Sequence, residues 1–115
     1  MAALDMSVVK EIKELGGEDD PGFLGSLIQI YLDISPEKIK KLKQAFARAD
    51  ATTVTQEAHS LKSSSANMGA VHLSSLLALL EEQAKLGKIS AEMAEIFKEV
   101  EKEYLQVEEE LKTLL

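Results

Sequence analysis

Cysteine is absent from this chain of 115 residues. No disulfide, thiolate metal site or cysteine nucleophile can therefore be built, and the lack is compatible with a reducing, cytoplasmic setting. Tryptophan is absent too, and aromatic residues make up only 4% of the chain. The core must come from Leu, Ile, Val, Ala and Met, which favours packed helices over a β-sandwich. Proline and glycine are scarce, two and six residues, and most fall where helices would start or stop. No apolar stretch nears the ~20 residues of a membrane span, and Met1-Ala2-Ala3-Leu4-Asp5 is too polar for a signal peptide. Basic residues are outnumbered: 13 Lys and Arg against 20 Asp and Glu give a net charge of −7. Such a chain repels a nucleic-acid backbone and lacks the basic run that an anionic membrane attracts. A Gly-rich nucleotide loop followed by Lys, a kinase signature set and paired aspartates for Mg2+ are missing as well, so the chain should not phosphorylate itself from a nucleoside triphosphate.

What remains is a helix former. Hydrophobic residues are 45% of the chain, enough for one domain with one core spanning residues 1–115. Leu4, Val8, Ile12 and Leu15 share one face of a short helix that Gly16-Gly17 stops. Asp19 or Asp20 then caps a second helix, with Pro21 in its first turn. Its apolar phase runs Leu24, Ile28, Tyr31, Ser35, Ile39, Leu42, Phe46, Ala49, straight through Pro36. One long helix from about Asp20 to Ala49, bent at Pro36, is favoured over two that break there. Asp50 caps a third helix that ends at Met68 with Gly69 just beyond it. A fourth runs from about Ala70 to Leu86 on Leu73, Leu76, Leu77, Leu80 and Ala84, and Gly87 ends it. Leu79 lies off that stripe. Ser90 caps the last, whose face is Met93, Ile96, Phe97, Val100, Tyr104, Val107, Leu111 and Leu114. Links this short force neighbours to run antiparallel. The expected fold is all-α: an up-down-up-down four-helix bundle with a short additional N-terminal helix. The charge runs Lys38-Lys40-Lys41-Lys43 and Glu108-Glu109-Glu110 read as solvated helix faces.

The third helix carries the one distinctive chemical feature. Val54, Ala58, Leu61, Ser65 and Met68 mark its buried face. His59 sits roughly 140° from the centre of that face and so points to water. Lys62 neighbours it at i+3 and Ser63 at i+4, with Thr55 one turn before. Neutral imidazole is a good nucleophile near neutral pH, and a phosphoryl group on nitrogen is labile enough to leave again. A cation beside the ring can follow the charge of about −2 that the group brings. The other ring nitrogen needs an acceptor to fix the tautomer. Counting out from the Gly69 turn brings Glu81 to the level of His59, with Gln83 a weaker alternative and an ordinary surface glutamate the bland one. His72 lacks such neighbours and reads as structural or simply exposed. A His59–His72 metal site is discounted, leaving no metal ligands.

Together these residues resemble the histidine-containing phosphotransfer (HPt) domain of two-component phosphorelays. The family pattern is His, any residue, Leu, Lys, Gly, Ser, Ser, three residues and Gly. His59, Leu61, Lys62, Ser64, Ser65 and Gly69 match it, and Ala58 and Ala66-Asn67 are typical companions. Gly16 to Leu24, Leu80-Glu81-Glu82 and Glu103-Tyr104-Leu105 are similar to family members at corresponding places. Ser63 stands where the family usually has Gly. The resemblance implies that His59 accepts a phosphoryl group from a receiver-domain aspartate and passes it to another receiver. It implies that Lys62 neutralises that group, and that a small apolar surface including Ser63, Ala66, Asn67, Gly69 and parts of the long helix docks the partner. No cofactor of its own is implied; Mg2+ is expected on the partner receiver. The partners implied are response-regulator receivers and a hybrid histidine kinase, with the chain a monomer. The alternative is a helical interaction module whose histidine is never modified, and a weaker one is a dimer through the long helices.

Overall fold

The computed structural model describes residues 2–115. Among them are five helices: α1 (Met6–Gly16), α2 (Phe23–Ala47), α3 (Ala51–Asn67), α4 (Val71–Ala84) and α5 (Ala91–Thr113). α2 packs on α3, α3 on α4, α4 on α5, and α5 returns to α2, which closes the ring; α1 lies against α2. This is the four-helix bundle with an extra N-terminal helix, 48 Å long and 24 by 19 Å across. None of the described helices is long and apolar enough to cross a membrane.

The capping signals work as their chemistry requires at three of the five starts. Asp5 accepts from the Ser7 amide at 3.0 Å, Asp50 from the Thr53 amide at 3.1 Å, and Ser90 from the Met93 amide at 3.1 Å. α2 differs from expectation. Its cap is Gly22, with no side-chain bond, and Asp20 contributes only its backbone carbonyl to the Phe23 amide. Pro36 does not split α2, which is continuous through it. The expected phase holds from Ile28 to Leu42, but Ala49 lies beyond the helix with φ 52°, and Ala45 is the buried residue.

In α1 the expected face holds at Ile12 and in part at Val8, which packs against the core, but fails at Leu15. Val9 and Ile12 are buried, while Leu15 is 78% exposed. Leu4 precedes the helix, so its phase does not carry into it. The inward line continues through the half-buried Gly16, where the missing side chain lets Phe23 in: an added Cβ would lie 2.5 Å from the Phe23 Cβ.

The core is Leu, Ile, Val, Ala and Met, with Phe46 and Phe97 stacked at a 4.9 Å centroid distance. Two serines occupy apolar phase positions because each meets a tyrosine hydroxyl: Ser65 with Tyr31, and Ser35 with Tyr104, both at 2.8 Å. Burial pushes the Tyr104 phenol up to about 12. The charge runs are not simply solvated. Glu110 accepts from the amides of Ala3 at 2.7 Å and Leu4 at 3.2 Å, which ties the amino-terminal segment to the end of α5. Lys38 lies 3.6 Å from Glu57 across α2 and α3, both largely shielded from water. Lys40, Lys41 and Lys43 are exposed.

Candidate functional site

α3 turns Val54, Ala58, Leu61 and Ser65 inward, so His59 is presented outward; its side chain is 61% exposed. One ring nitrogen is nevertheless held. Nδ1 lies 2.8 Å from Oε2 of Glu81, which reaches across from α4. Glu81 is buried because it shares a face with Leu77, Leu80 and Ala84, and its carboxylate emerges beneath the imidazole. Its other oxygen accepts from Lys62 Nζ at 2.6 Å, and Lys85 Nζ is 3.4 Å from Oε2.

The Lys62 hydrogen bond is the main reason the Glu81 carboxyl is held down at about 2. Burial opposes it, and the imidazole adds to it. A carboxylate held ionised can only accept, so the neutral imidazole carries its proton on Nδ1. Nε2, with its lone pair, is then the nitrogen left free. α4 is also stitched to the α3 backbone here, where the Ser74 hydroxyl donates to the Lys62 carbonyl at 3.1 Å.

Comparison with known proteins gives the family of the fold. The model of the Hpt domain matches residues 26–115. The crystal structure of histidine-containing phosphotransfer protein B (HptB) from Pseudomonas aeruginosa PAO1 superposes with a TM-score of 0.86 at 30% identity, covering 96% of this chain and 92% of that one. No curated protein sequence matches. The chain belongs to the histidine-containing phosphotransfer family. Its role is that of the family, histidine phosphotransfer in a phosphorelay. Hpt proteins are phosphoryl carriers, not kinases, and they work with receiver domains and histidine kinases.

The candidate site brings together His59, Lys62 and Glu81, and adds Lys85, which the sequence pattern did not single out. Its signal was present, since Lys85 follows Glu81 at i+4 on one helix face. Gln83 is not the partner of Nδ1. Thr55 turns its hydroxyl to the Ala51 carbonyl at 2.8 Å, away from the ring. Ser63 is exposed and donates to the His59 carbonyl at 3.2 Å, so the residue that replaces the family glycine folds back on its own helix. Ala66 and Asn67 are exposed.

Gly69 is a correction. It is buried, not a docking residue. Its φ of 84° ends α3, its carbonyl accepts from the Asp5 amide at 2.8 Å, and an added Cβ would lie 2.9 Å from the Asp5 carbonyl oxygen. His72 is exposed at the start of α4. Among the described residues, no three acidic or histidine side chains are placed to hold a metal ion.

Beside the histidine face runs an apolar groove of about 620 Å³. Leu27, Ile30 and Ile34 of α2 line it with Ile12 of α1 and with Ser60, Ser64 and Asn67 of α3. Ile30 and Ile34 are each at least half exposed, at 54% and 50%. Leu79, off the α4 stripe, is 45% exposed on another face.

Proposed function

We propose that His59 is the phosphoryl acceptor of this Hpt protein and that its partners are receiver domains of response regulators or of a hybrid histidine kinase. One observation carries the reading: a water-facing imidazole whose Nδ1 is fixed by a buried, ionised carboxylate with a lysine on the same carboxylate. The Nε2 lone pair attacks the phosphorus of a receiver phosphoaspartate. The N–P bond forms as the P–O bond breaks, and the electron pair leaves on the aspartate carboxylate. No proton need leave Nε2. The ring gains positive charge, its Nδ1 proton stays, and Glu81 balances it. Lys62 follows the phosphoryl oxygens as a flexible point charge. The chain brings no cofactor to this step; Mg2+ belongs to the receiver, where it offsets charge on the transferring group.

The groove and the exposed Ser63, Ala66 and Asn67 form the docking surface in this reading. Apolar area from α2 is offered to a partner beside Ser60 and Ser64, on the helix that carries His59. The protein acts as a monomer in the cytoplasm, where receivers and kinase output domains work. The test is transfer from an acetyl-phosphate-charged receiver. Acid-labile, base-stable label is expected on the wild type and on His72→Gln, and none on His59→Gln. Label that persists in His59→Gln overturns the assignment, and a receiver that binds the chain but never labels it supports an unmodified adaptor instead.

A further inference from the structure

We propose that Lys85 is a positioning residue that keeps Glu81 in place beneath His59 when Lys62 moves to the phosphoryl group. The inference rests on His59 as the acceptor and concerns a residue that this reading does not need.

The argument is a count of partners on a buried carboxylate. Oε1 of Glu81 has one partner, Lys62 at 2.6 Å. Oε2 has two, the imidazole at 2.8 Å and Lys85 at 3.4 Å. A phosphoryl group on Nε2 brings a charge of about −2 to the same ring that Glu81 holds from below. A Lys62 ammonium that swings toward the phosphoryl oxygens loosens its 2.6 Å contact with Oε1, which has no other partner. Glu81 is then a buried anion facing a second anion across one imidazole, the arrangement that burial penalises most.

Lys85 is the cation left. It is anchored to Glu81 twice, because its backbone amide also donates to the Glu81 carbonyl at 3.1 Å. It sits at the carboxyl end of α4, where a positive charge is favoured by the helix dipole. Its side chain is 62% exposed against 30% for Lys62, so it has room to slide onto the vacated oxygen. No other cation among the described residues contacts Glu81.

Two measurements on the full chain test this. The first needs no phosphoryl transfer. Lys62→Gln imitates the departed lysine, and proton NMR then reads protection of the imidazole Nδ1–H from exchange. The signal is expected to survive in Lys62→Gln and to broaden away in Lys62→Gln/Lys85→Gln. The second is the transfer rate from a charged receiver. Lys85→Gln is expected to slow it about two- to five-fold, the effect of one exposed ion pair. Lys85→Arg is expected to restore it, which a merely structural role would not require. In the Lys62→Gln background the loss on removing Lys85 is expected to be larger. Equal protection in the single and double variants, or a transfer rate that Lys85→Gln leaves unchanged relative to its own parent in both backgrounds, overturns the proposal. A wild type that takes no label on His59 while the NMR result holds defeats the acceptor reading alone.

Discussion

A hydrogen-bond partner for a side chain is a residue-scale question, and sequence answers it only when helix geometry leaves few choices. Glu81 could be named because α3 and α4 are joined by a short turn, and equal counting along antiparallel helices brings it level with His59. Its pairing with Lys62 could not be, since that depends on where a four-carbon stem comes to rest. Glu81→Ala is expected to slow transfer from a receiver about ten-fold, the weight of a hydrogen bond to a charged group. Glu81→Gln keeps an acceptor for Nδ1–H and is expected to lose less; single-turnover labelling compares the two. Ser65 was legible as a core position and not as half of a pair, because Tyr31 comes from another helix. Tyr31→Phe leaves the Ser65 hydroxyl buried and unpaired and is expected to cost about 1–3 kcal/mol in urea denaturation. Tyr31→Phe/Ser65→Ala should recover part of that, since neither polar group is then stranded.

The boundaries of the helices follow from local chemistry wherever a side chain caps them, which is why Asp50 and Ser90 were readable. α2 begins at a glycine without such a bond and was placed too early. Gly16 hid the true inward line of α1, because a glycine contributes nothing to a hydrophobic pattern even where its bareness admits Phe23. The ends of α2 and α3 close in the same way. The Asp50 amide reaches back to the Ala45 carbonyl and the Ala70 amide to the Ser65 carbonyl, with Ala49 and Gly69 in the left-handed region between. Only one of the two has the residue that region prefers. Ala49→Gly is expected to stabilise the fold by about 0.5–1 kcal/mol, the relief of left-handed strain less the added chain entropy. Gly69→Ala is expected to destabilise it by at least about 1–2 kcal/mol, because strain adds to the clash with Asp5. Thermal unfolding of both variants checks the opposite signs.

Closure of the whole molecule depends on a contact between its two ends. The amino-terminal segment buries Ala3 and Leu4, and the Glu110 carboxylate on α5 accepts both of their amides. No local pattern announces this, for the partners are more than a hundred residues apart, and a glutamate in an acidic run reads as solvated. Burial works to raise the Glu110 pKa, but the Ala3 amide, Gln106 and the Leu4 amide hold it below the ordinary value. Glu81 is held down to about 2, mainly by Lys62, while Asp5 and Asp50 are lowered chiefly by Ser7 and Thr53. Each of these groups therefore binds fewer protons in the fold than in the unfolded chain once pH drops toward the ordinary carboxyl values of 3.8 and 4.5. Their stabilisation is complete above those values and is lost as pH falls through each lowered pKa. Stability is thus expected to hold from pH 7 to about 5, then to fall steadily, with the Glu81 contribution lost near pH 2. Glu110→Gln keeps the shape of the side chain but not its charge or one of its acceptors. It is expected to lower the unfolding free energy at pH 7 by about 1–3 kcal/mol and to flatten the acid slope. Urea denaturation at pH 7, 4.5, 3.5 and 2.5 reads both effects, and an unchanged slope would mean that the tie between the ends is not carried by that charge.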